Sequence, residues 1–81
     1  MPRLQDELDQ LALADRHIAT GVKGIAEMQH RLEIQRSVGG DIGVMEDSVS
    51  AAQQALQEFQ IHRDLIAQTI QDIRTGRLPS T

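Results

Sequence analysis

The sequence predicts an all-α protein: an antiparallel two-helix hairpin that dimerises into a four-helix bundle. Three observations predict it. Large aliphatic residues recur every seven positions along two long segments, and a glycine-rich break, "SVGGDIG", separates the two. The third observation is composition, rich in the helix formers Ala, Leu, Ile, Gln, Glu and Arg, with Phe59 as the one aromatic residue. Residues 1–81 read as a single domain: a helix over about 3–37, a turn over about 38–41, a helix over about 42–75 and a short tail, 76–81.

The first helix carries Leu4, Leu11, Ile18, Ile25 and Leu32 in one row, with Leu8 and Val22 four residues after two of them. That alternation of four and three is the seam of a coiled-coil-like helix. Its charges suit the helix dipole, with Asp6, Glu7 and Asp9 near the start and Arg31 and Arg36 near the end, and Pro2 suits a helix start. The turn offers Gly39 or Gly40 as a left-handed cap and Asp41 as an acceptor for the first amides of the next helix. In the second helix Met45, Ala52, Phe59, Ile66 and Ile73 form one row, and Val49, Leu56, Arg63 and Ile70 the other. Gly76 stops it, and Pro79 keeps the tail out of the helix.

A chain of 81 residues is short for a self-sufficient core, and with no cysteine it has no disulfide to staple it. Two helices alone leave most of each apolar stripe half covered, so a second copy is the economical partner. The histidines at 17, 30 and 62 lack zinc-site spacing, and no cofactor is expected. A net charge of −4 and the lack of aromatic platforms argue against nucleic acid. No apolar run approaches a membrane span or a signal peptide, so the expected location is the cytoplasm.

One tripeptide is spelled twice, Asp15-Arg16-His17 and in reverse His62-Arg63-Asp64. In a hairpin turning at the glycines, residues at equal height have numbers summing to about 79, because both helices rise about 1.5 Å per residue. Both tripeptides therefore fall at one level. Helical phase then separates them: Asp15 and Arg63 point inward, Arg16 and Asp64 outward. The expectation is a seam ion pair between Asp15 and Arg63 with His62 beside it, fixing register or partner choice.

Ala14, His17, Gly21, Gly24 and Met28 share a side of the first helix and form a strip of small side chains where a partner helix could approach closely. The segment "HIATGVKG" also raises phosphotransfer, because histidine phosphotransfer modules, which it resembles in spacing, carry a helical His followed four residues later by Gly. His17 would be the phosphoacceptor, although Thr20 stands where those modules place Lys. Arg16, Lys23 and His30 recur on the outer face as a basic stripe that could meet structured RNA, but Asp9 and Glu27 interrupt it. Enzyme chemistry has no foothold: the sequence has no phosphate-binding glycine loop and no nucleophile with a partnered base.

The segments "DRHIATG", "GGDIG" and "HRDLIAQTI" resemble a group of small helical-hairpin proteins common in alpha-proteobacteria, rhizobia above all. Those proteins read Arg-His-Ile-Ala-x-Gly in a first helix, Gly-x-Asp-Thr at the turn and His-Arg-Asp near the end. Arg16, His17, Ile18, Ala19 and Gly21 fit the first element, Gly39 and Asp41 the second, and His62, Arg63 and Asp64 the third, while Ile42 departs from the usual Thr. The resemblance implies a hairpin and a bacterial origin and brings no activity with it. The functional expectation is a non-enzymatic protein-interaction or small regulatory module, a homodimer with an unidentified protein partner. A histidine phosphotransfer or kinase-interacting bundle is the first alternative and an RNA-binding hairpin dimer the second.

Overall fold

The computed structural model describes residues 2–79. Two helices account for nearly all of them, α1 from Leu4 to Ser37 and α2 from Gly43 to Arg74, packed antiparallel along their whole length. Of the expected tail, residues through Pro79 are described; Ser80 and Thr81 lie outside the described residues.

Glycine geometry ends both helices in the same way. Gly39 has φ 76°, its amide donates to the Arg36 carbonyl at 3.1 Å, and the Gly40 amide donates to the Gln35 carbonyl at 3.0 Å. Gly76 repeats this with φ 79°, its amide on Ile73 at 3.2 Å and the Arg77 amide on Asp72 at 2.7 Å. Both are Schellman closures, in which a left-handed residue turns the chain back to satisfy the last carbonyls, and only glycine enters that conformation freely. Asp41 Oδ1 then accepts the Gly43 amide at 3.0 Å, opening α2 directly after the turn.

The core is a single line of side chains. Ile25 and Leu32 from α1 and Val49, Ile66 and Ile70 from α2 are its buried members. In α2 the seam follows both rows expected from the sequence, except that Phe59 is 47% exposed at its edge. In α1 the leading row Leu4, Leu11, Ile18, Ile25 and Leu32 faces α2, but its companion differs from the expected one. Glu7, Ala14, Gly21, Met28 and Gln35 are half-buried; of the expected row Leu8 is half-buried too, whereas Val22 is 51% exposed and Asp15 exposed. Packing has chosen the row three residues after each large aliphatic rather than the row four after. Small residues there let the helices close: an added Cβ at Gly21 would lie 3.2 Å from Leu56 Cδ1.

The result is a rod with extents of 58 × 15 × 15 Å and a radius of gyration of 18.0 Å. A compact domain of this length would have about 12 Å. Among the described residues no helix is long and apolar enough to cross a membrane.

Candidate interaction face

Two antiparallel helices in seam contact have two flanks, where residues bordering the seam on one helix look across at those bordering it on the other. Helical phase assigns Gln10, His17, Gly24 and Arg31 of α1, and Ser48, Ala55, His62 and Thr69 of α2, to one flank. Leu8, Asp15 and Val22 of α1 fall on the opposite flank with Gln60 and Ala67 of α2. The two flanks differ in relief.

Three shallow grooves run end to end along the first flank. A groove of 190 Å³ lies between Gln10, Leu13 and Ala14 of α1 and Phe59 and His62 of α2, with His17 at its border. Next, a hollow of 270 Å³ opens over Gly21, Gly24, Ala52 and Ala55, its walls entirely apolar. Towards the turn a third, of 170 Å³, is lined by Met28, Arg31, Val44, Met45, Ser48 and Val49. Phe59 borders the first two grooves and Met28 the last two, so the three form one channel. Several exposed large apolar side chains border the same side by helical phase: Leu13 and Ile34 from α1, Val44 (78%), Phe59 and Leu65 (63%) from α2. Exposed apolar surface is ordinary when scattered, and its alignment along one channel is what marks a contact face.

All five residues of the small-residue strip, Ala14, His17, Gly21, Gly24 and Met28, line this channel. The hollow is their doing. Gly24 has open space where a side chain would stand, while Gly21 lies against Leu56. His17 is exposed and sets its ring against Phe59, with centroids 6.2 Å apart and planes at 64°, an edge-to-face arrangement. For phosphotransfer this matters, because the space that Gly21 leaves one turn after His17 is occupied by the hairpin's own Leu56. Arg16, Lys23 and His30 are all exposed on the outer side.

Asp15 and Arg63 do meet, Nε of Arg63 donating to Asp15 Oδ1 at 2.9 Å, with Asp64 a more distant second acceptor at 3.5 Å. The hydrogen bond to Asp15 and its charge raise the Arg63 pKa further, desolvation opposing this and Asp64 adding to it. One part of the sequence expectation needs correction. The pair is not enclosed, its side chains being 37% and 52% exposed for Arg63 and Asp15, so solvent screens it. His62, one 100° step away, also lines the channel with His17.

The channel is poor in charge. Arg31 is the one Lys, Arg, Asp or Glu side chain that lines it among the described residues. Among those residues, no group of three His, Asp or Glu side chains converges as a metal site, and no buried side-chain nitrogen or oxygen lacks a partner. What the arrangement offers chemically is an almost uncharged, mostly apolar surface. Comparison with protein-family models, curated proteins and solved structures finds no match.

The sequence pointed to the strip but not to the channel. Assigning the seam by the bulkiest residues placed Leu8 and Val22 inside and left Ala14 and Gly21 aside. The missed signal was the second three-four register, Leu11, Ala14, Ile18, Gly21, Ile25, Met28, Leu32, whose small members close the helices tightly and leave a hollow beside them.

Proposed function

We propose that this chain is a non-enzymatic protein-interaction module, a small regulatory hairpin that acts in the cytoplasm as a homodimer closed into a four-helix bundle, and needs no cofactor. The supporting observation is the apolar channel that runs along one flank and has no cover among the described residues. A helical hairpin whose two helices are satisfied only on their mutual seam gains most by laying that flank against further helices. Its resemblance to the rhizobial hairpin proteins is compatible with such a role and specifies no partner.

Sedimentation velocity across a concentration series, followed by affinity capture from native lysate with and without nuclease, tests this reading. It expects a species of twice the 9.0 kDa chain mass and a protein partner that survives nuclease. Recovery of RNA that vanishes with nuclease, or phosphate exchange with a response regulator that a His17→Gln variant loses, would replace it.

A further inference from the structure

We propose that the occupant of the channel is a second copy of the same chain, packed antiparallel, with Phe59 of each copy seated in the Gly21, Gly24, Ala52 and Ala55 hollow of the other. This rests on the dimeric reading above and adds the face, the orientation and the anchor. Four observations lead to it.

The first is area. The chain exposes 5844 Å². A folded monomer of its mass exposes about 4,850 Å² by the usual scaling, so roughly 1,000 Å² is in excess. A standard interface removes about 800 Å² per partner. A face-to-face hairpin pair would account for most of the surplus.

The second is shape. A face that packs on its own copy about a two-fold axis must carry both a projection and the recess that receives it. This one carries both: a half-exposed aromatic ring beside a 270 Å³ apolar hollow floored by glycine and alanine. Aromatic side chains seated in apolar hollows are the usual anchors of interfaces.

The third is register. At equal height residue numbers sum to about 79, so Phe59 stands level with Thr20, and Gly24 lies about 6 Å nearer the turn, four residues on at about 1.5 Å each. Mutual seating places the two-fold midway, at the level of Val22. That is within two residues of the middle of α1, Leu4 to Ser37, so the two hairpins overlap along nearly their full length with turns at opposite ends.

The fourth is charge. A two-fold parallel to the helices would set Arg31, the one such charge lining the channel, against its own copy and leave hollow facing hollow. The antiparallel arrangement sets Arg31 near Leu13 instead. It also brings Glu27 of one copy within about one helical turn of His17 of the other.

The full chain is examined by light scattering and by cysteine cross-linking, for which the native absence of cysteine is convenient. Gly24→Gln is the principal variant. A Cβ at this position meets nothing within 4 Å and the substitution improves helix propensity, so the monomer should keep its helicity while the longer side chain fills the hollow. The expected result is a fall to single-chain mass with circular dichroism unchanged or stronger; Phe59→Ala should also weaken the dimer at least tenfold. With a short bifunctional maleimide, Thr20→Cys, on the outer lip of the channel beside the axis, should cross-link to its own copy. Val44→Cys should not, because the two copies of residue 44 stand more than about 30 Å apart. A dimer that survives Gly24→Gln, or that cross-links through Val44→Cys, overturns this arrangement while leaving the dimer intact. A wild type of single-chain mass at every concentration overturns both proposals.

Discussion

The two flanks of the hairpin are made from the same two helices and the same seven-residue rhythm, yet they end differently. One carries the Asp15–Arg63 pair, polar and half in solvent. The other carries the channel under Phe59, Gly24 and Met28. What separates them is side-chain volume at the seam's border: where α1 places Ala14, Gly21 and Gly24 the surface sinks into the channel, and on the other side it places the larger Leu8, Asp15 and Val22. A flank's relief in a two-helix protein is thus set by its small residues as much as by its large ones.

The seam itself sets the scale on which the flanks can be compared. Ile70 is 4% exposed, and Ile70→Ala should destabilise the fold by about 2–5 kcal/mol, enough to unfold much of a marginal hairpin. Denaturant unfolding followed by circular dichroism measures it, and a loss below about 1 kcal/mol would mean that the line of buried residues is not the main source of stability. Next in size, Phe59→Ala and Val22→Ala contrast the flanks. Both residues are about half exposed. Equal effects on association, measured by sedimentation, would remove the distinction between the channel side and the opposite side.

A smaller contrast lies within the channel. Gly24→Ala should stabilise the hairpin by about 0.5–1 kcal/mol through helix propensity. Gly21→Ala should return less or cost stability, because its new methyl must displace Leu56. If both alanines stabilise equally in thermal melts, the close approach at Gly21 is not a constraint.

The smallest effect concerns Asp15 and Arg63. Because the pair is screened, a double-mutant cycle should give weak coupling that fades as salt is raised. Its sign with pH is simple. Asp15 raises the Arg63 pKa, so the guanidinium contribution is complete below the unfolded value and is lost only in strong alkali, above the range where the fold is studied. Strong, salt-independent coupling would restore the enclosed clasp expected from the sequence.

Much of the architecture could be read directly. The rows Leu4 to Leu32 and Val49 to Ile70, the glycine pair at the turn and Asp41 after it are local signals, and the backbone answers them locally. The meeting of Asp15 with Arg63 was also legible, since equal rise makes height a matter of counting. Its exposure was not. That depends on which of two adjacent rows in α1 turns inward, a rotation that hydrophobicity alone resolves in favour of Leu8 and Val22. Close packing resolved it in favour of Ala14 and Gly21, a preference visible only when α2 is present to press against them.

The glycine closures at Gly39 and Gly76 give the molecule an adjustable length. Each helix stops because its own terminal residue turns left-handed, not because its neighbour has ended. Adding seven residues to each helix beside the turn, ahead of Gly39 in α1 and just after Gly43 in α2, would extend the rod by about 10 Å while preserving seam, flanks and turn. The hairpin is in this sense a ruler, its span written in whole repeats and cut to size by two glycines.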